Sequence, residues 1–127
     1  MGGYNKKFKP IVTGHEWLCR DSAQASRYEN DPYCGYIFTI NGFYNMFNLL
    51  NFIIKKDHIN SIPKDLPILI CSGDMDPVGK YGSGPKTVYK SFVDAKILDV
   101  VIKLYKDDRH EILNELDQDQ VYDDILN

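Results

Sequence analysis

The feature that most limits what this chain can fold into is a strand, helix, strand order in its second half. Residues 67–71, PILIC, form a short unbroken apolar run, which suits a strand covered on both faces inside a parallel sheet. Residues 99–105, DVVIKLY, place Val100, Ile102 and Leu104 on one face and Val101, Lys103 and Tyr105 on the other. That alternation belongs to a strand nearer an edge. Between them, Gly82-Ser83-Gly84-Pro85 leads into a helix with Pro85 at its first position and Val88, Phe92 and Ala95 on one apolar side. A last helix, capped by Asp117 or Asp119, carries Val121, Ile125 and Leu126. One parallel strand pair does not make a stable sheet, because such sheets need more strands and cover on both faces. The remaining strands are expected from another polypeptide segment or from copies of this chain.

The pattern changes near Ser61. Residues 1–60 are rich in aromatics and asparagine, show no strand alternation and read as helices and loops. Asp21 or Ser22 can cap a short helix through Tyr28, which Asp31-Pro32 ends by pushing the residue before proline out of the α region. From about Asn41 to Lys56, Phe43, Phe47, Leu50 and Ile54 recur at helical spacing, and Met46, Leu49 and Ile53 widen the stripe. So wide an apolar face is explained either by packing against the rest of the protein or by a lid over an apolar cleft.

Charge and cysteine content exclude several classes. With 15 basic and 18 acidic residues interleaved along 127, no basic stripe exists for a nucleic acid backbone. Neither a signal segment nor an apolar run near the ~20 residues of a membrane span is present, so a cytoplasmic location is expected. Cys19, Cys34 and Cys71 have no CxxC spacing, which points to reduced, structural thiols rather than disulfides or zinc.

The chemistry-bearing residues follow the two strands, where open α/β sheets place their sites. Asp74 and Asp76 compete in the first loop, GDMDPVG. Pro77 fixes the backbone after Asp76, so the loop turns sharply and can present that carboxylate, although both acids also fit a plain solvated turn. After the second strand comes KDDRHEILNE, in which His110 stands where a triad histidine must reach both a carboxylate and a nucleophile. A lone histidine equally suits a surface or capping role, and His15 and His58 are read that way. A metal site from Asp74, Asp76, His110 and Glu111 is a weaker reading, because a zincin helix needs two histidines at i and i+4; no metal and no cofactor are expected. The acids at that helix start are explained by its free N–H groups.

A nucleophile is not found. The strained elbow G-x-S-x-G needs two glycines four residues apart, and no pair of the nine glycines has that spacing. Ser83, between Gly82 and Gly84, follows the acid loop, whereas the triad order of that fold is Ser, acid, His. Ser72 and Cys71 lie at a strand end without an elbow.

Four stretches, TGHEWLCRD (13–21), YENDPYCGYIFT (28–39), LPILICSGDMDPVG (66–79) and LYKDDRHEILNE (104–115), closely resemble the α/β-hydrolase family of lysophospholipases, monoacylglycerol lipases and serine aminopeptidase-like hydrolases. They occur in the family's order and span nearly the whole chain. The resemblance implies that Asp76 is the triad acid and His110 the triad histidine. It implies a cap or lid over residues 1–60, with Phe43, Phe47 and Leu50 near an acyl chain, and a C-terminal core part over 61–127. The family's early core strands and serine elbow have no counterpart, so the chain reads as the C-terminal half of such an enzyme.

Two functions follow from different classes. The first is a part of a serine hydrolase cleaving carboxylic esters of the lysophospholipid or monoacylglycerol kind, its serine supplied from outside these residues. The second is a non-catalytic interaction module, or an inactive truncation product, that associates through its incomplete sheet, with the missing half or as a homo-oligomer.

Overall fold

The computed structural model describes residues 3–127. After a short 3-10 turn at Tyr4–Lys7, the chain runs through an irregular segment into α1, Ser22–Asn30. Asp21 is extended and its carboxylate accepts the Ala23 N–H at 2.8 Å, satisfying one of the free donors of the first turn. α2, Ile40–Ile53, is capped in the same way by Thr39, whose Oγ1 accepts the Gly42 N–H at 3.1 Å. The expected helix to residue 56 stops earlier. His58 donates from Nδ1 to the Phe52 carbonyl at 2.6 Å, and a separate short helix, α3, Lys56–Asn60, follows. No side chain of α2 is buried, so its apolar face, including Phe47 and Leu50, is not core packing among the described residues.

β1, Ile68–Gly73, and β2, Val100–Tyr105, form a two-stranded parallel sheet, in register from Ile68 opposite Val100 to Gly73 opposite Tyr105. α4, Ser83–Asp94, is the crossover between them. It begins two residues before the expected Pro85, with Gly82 at the N-cap in the left-handed region at φ 80°. Pro85 still lies in the first turn, where its missing N–H has no intrahelical partner to lose. α4 buries little of its expected face: Val88 stays exposed, and burial begins only past its end, at Ala95 and Ile97. Nor is β1 covered on both faces, since Leu69 and its register partner Val101 are 44% and 51% exposed.

The last helix, α5, is Gln118–Leu126. Val121 is fully buried, while Ile125 and Leu126, expected on the same side, face outward. Asp117 stands at the N-cap but makes no capping bond, because its carboxylate is held elsewhere by Arg20. The buried apolar residues Phe8, Leu18, Cys19 and Ala25 come from the first 25 residues, and Tyr105 and Val121 from the last quarter. No described helix is long and apolar enough to cross a membrane.

Candidate active site

The parallel register brings both strands out at one level, so the loops after Gly73 and Tyr105 lie side by side. The Asp74 N–H donates to the Tyr105 carbonyl at 2.9 Å and the Met75 N–H to the Asp108 carbonyl at 2.8 Å. Gly73 is required by this approach: a Cβ there would stand 2.2 Å from the Asp108 carbonyl oxygen and 2.3 Å from that of Arg109.

The two acids of the first loop separate by role. Asp74 accepts the Asp107 N–H at 2.8 Å and joins the loops. Asp76 is 7% exposed and accepts the Val78 N–H on Oδ1 at 2.8 Å and the Gly79 N–H on Oδ2 at 3.0 Å. Pro77, sitting between acceptor and donors, fixes the turn that aims those N–H groups back at the carboxylate. Nδ1 of His110 lies 3.2 Å from Asp76 Oδ1. A carboxylate oxygen accepts, so Nδ1 donates in this pair, and in the neutral imidazole Nε2 then keeps its lone pair. The histidine side chain is 38% exposed, against a buried acid behind it. Among the described residues its ring has no hydrogen-bond partner besides Asp76.

One side of the ring meets Trp17, with centroids 5.1 Å apart. Trp17 also lines a cleft of about 650 Å³ with Tyr33, Tyr36, Phe38, Phe43 and Met46. Of the three lid residues expected from the sequence, Phe43 lines this cleft. Phe47 stacks on Phe43 at 6.2 Å, one helical turn further out, and Leu50 lies beyond. His15 also lines the cleft, packed 4.9 Å from the Tyr28 ring, with a buried Nδ1 that has no partner among the described residues. His58 is half-buried and serves the end of α2.

Behind the histidine lies a cluster that pattern reading did not reveal. Arg20 binds Asp108 at 2.5 Å, Glu115 at 2.8 Å, and Asp117. The three carboxylates offer oxygens within 4.8 Å of one another, the one grouping among the described residues close enough to share a cation, and the guanidinium bonds to all three. Asp108 is fully buried and its Oδ2 has no partner among the described residues. Burial, together with the neighbouring Asp117 and Glu115 charges and against the pull of Arg20, pushes its pKa up to about 7. Of the residues of the weaker metal reading, Asp76 and His110 meet, while Asp74 is taken by Asp107 and Glu111 by Asn114.

Glu16 shows the opposite balance. Burial alone would raise its pKa, but the Thr13 and Val12 N–H groups, each at 2.6 Å, bring it down to about 2. The buried Cys19 thiol is pushed up to about 11 by burial and by the Glu115 charge, which keeps it an inert thiol. Ser72 and Ser83 spend their hydroxyls on backbone carbonyls, those of Gly73 at 3.2 Å and Lys80 at 2.8 Å. The arrangement therefore holds an oriented proton acceptor with its supporting acid beside an aromatic cleft, and such a pair can activate a hydroxyl brought to Nε2.

Residues 7–117 match the family described as serine aminopeptidase, S33. No curated protein matches the chain. Among solved structures it is similar to a highly thermostable carboxyl esterase from Bacillus coagulans in complex with glycerol, with 29% identity and a TM-score of 0.86 over 99% of this chain. A lipase in its open form, 20% identical with a TM-score of 0.80 over 98% of the chain, shares the fold. The chain spans 41% of the esterase and 40% of the lipase.

Proposed function

The chain belongs to the serine aminopeptidase, S33 family of α/β-hydrolases, and on that premise we propose that it supplies the acid and the histidine of a serine hydrolase acting on carboxylic esters. The observation that carries the reading is the 3.2 Å contact between His110 Nδ1 and a buried Asp76 held by two backbone N–H groups. A serine from residues outside this chain would lose its proton to His110 Nε2 as it attacks the ester carbonyl. The same proton would then pass to the leaving alkoxide, and water would repeat the cycle on the acyl-enzyme. Asp76 would hold the imidazole in the required tautomer and stabilise its charged form.

Residues 1–60 act in this reading as a cap and 61–127 as the C-terminal part of the core. The aromatic cleft beside His110 favours an apolar acyl group, as in lysophospholipids or monoacylglycerols, because it offers six aromatic rings and a methionine.

The test is hydrolysis of p-nitrophenyl esters by this chain alone and together with the polypeptide that carries the serine. The chain alone is expected to be close to inert, since loss of a triad nucleophile costs about 10⁶-fold in rate. In the complete enzyme Asp76→Asn is expected to lower kcat by about 10⁴. Robust turnover by the isolated chain that survives His110→Ala would sink the proposal.

A second reading, a non-catalytic interaction module, is favoured by the open face at Leu69 and Val101 and by the uncovered α2. It requires association, with the missing half or with another copy. Sedimentation giving a monomer that unfolds cooperatively would refute it.

A further inference from the structure

The histidine segment is fastened on two sides. Toward the sheet it is held by the Met75 N–H on the Asp108 carbonyl, in the space that Gly73 leaves open. On the other side it is laced to residues 16–20, which lie about 90 positions away in sequence. The His110 and Glu111 N–H groups donate to the carbonyls of Trp17 and Leu18, at 3.4 and 2.7 Å. Arg109 reaches back with its guanidinium to the carbonyls of Glu16 and, at 3.0 Å, Cys19.

One buried carboxylate joins these strands. Glu115 has a side chain with no exposure, and it accepts the Arg109 N–H on Oε1 at 2.8 Å, the residue just before His110. It also accepts the Arg20 N–H at 3.0 and 3.1 Å and Arg20 Nε at 2.8 Å. Arg20 in turn reaches Asp108, two residues before the histidine, and Asp117 at the start of α5. A carboxylate used this way fixes two backbones relative to each other, and charge-assisted bonds of this kind are short and directional.

We propose that Glu115 is a positioning residue for His110: by gripping the Arg109 N–H and the Arg20 backbone at once, it fixes where the imidazole stands against Asp76. The proposal rests on the acid and histidine reading above only for its catalytic consequence. The charged groups facing Glu115 are Arg20, Asp108 and Asp117 around the guanidinium and Arg109 on the histidine segment; Glu111 stands one residue past His110. None of them lies between His110 and Asp76, so Glu115 acts through the backbone.

The experiment compares the intact enzyme with its Glu115→Gln variant, well below the melting temperature of either. Three readings are taken: the low-field proton resonance of His110 Nδ1, amide exchange at Arg109 to Glu111, and kcat and KM for a p-nitrophenyl ester. Glu115→Gln is expected to broaden or abolish the resonance and to speed exchange at those amides tenfold or more. It should lower kcat by about 100-fold with KM within about twofold, the cost of a misplacement near 1 Å. Arg20→Lys, which keeps the charge but gives up the Nε contact, should shift all three the same way by less, and it serves if the glutamine variant does not fold. An unchanged resonance with kcat within twofold in either folded variant overturns the proposal, even if stability falls. If instead Asp76→Asn leaves kcat and the resonance untouched, the acid and histidine reading fails, and amide exchange in Glu115→Gln still decides whether the clamp holds the segment.

Discussion

Gly73 and Asp108 approach so closely that any side chain on Gly73 would stand 2.2 Å from the Asp108 carbonyl oxygen. The obstacle is backbone, which cannot swing aside as a flexible side chain would. Gly73→Ala is therefore expected to force the acid and histidine loops apart and to cost about 1–3 kcal/mol, the range for overpacking a close contact. Denaturant unfolding gives the cost, and faster amide exchange at Met75, whose N–H binds Asp108, locates it. An unchanged midpoint would show that the loops can separate freely.

The raised pKa of Asp108 gives stability a particular slope with pH. Its value in the fold, about 7, lies above the ordinary 3.8, so the folded chain binds a proton that the unfolded chain has released. This contribution is complete at low pH, fades as pH rises from about 4 to about 7, and is gone above. Asp108→Asn keeps an acceptor for Arg20 and carries no charge, so it should flatten melting temperature against pH over that window and match or exceed wild type at pH 8. Melting curves every half pH unit test it, and an unaltered slope in the variant would rule it out.

Glu16 works in the other direction. Its pKa is depressed to about 2, so its contribution is present above the ordinary carboxylate value and is lost as pH falls from about 4.5 toward 2. Glu16→Gln should lower the melting temperature at pH 7, remove part of the acid-induced loss, and loosen the Val12 and Thr13 amides that the carboxylate accepts. The two variants should therefore alter different parts of the same pH curve.

Trp17 packs against the His110 ring and also lines the cleft. In the complete enzyme Trp17→Ala should raise KM for a medium-chain ester by about tenfold, corresponding to ~1.4 kcal/mol, and by less for an acetate. Equal effects on short and long acyl chains would separate the cleft from substrate binding.

What could be read from residues alone was what lies close together in sequence. The strands, the Asp21 cap and the loops bearing Asp76 and His110 each depend on a few neighbouring residues, with Pro77 and the apolar runs as local signals. The end of α2 was not legible, because it depends on where the His58 ring points. Burial of α4, α5 and β1 was overstated, since periodicity identifies an apolar side but not whether anything covers it. The Arg20 and Glu115 clamp gave no signal, for its partners stand 95 positions apart and belong to no repeating pattern. Trp17 and Arg20 did lie within the stretch TGHEWLCRD, whose family likeness marked it without assigning either residue a task.

The register of the two strands carries one more consequence. Ile68 faces Val100 and Gly73 faces Tyr105 with no bulge between, so both loops start from the same rung of the ladder. Sliding β2 by a single residue would move the histidine loop about 3.3 Å along the strand and turn every side chain to the opposite face. That displacement exceeds the whole span of the Asp76 to His110 contact. The hydrogen bond is thus a vernier on the sheet: its proton resonance should report misalignment of the strands before any loss of secondary structure could be detected.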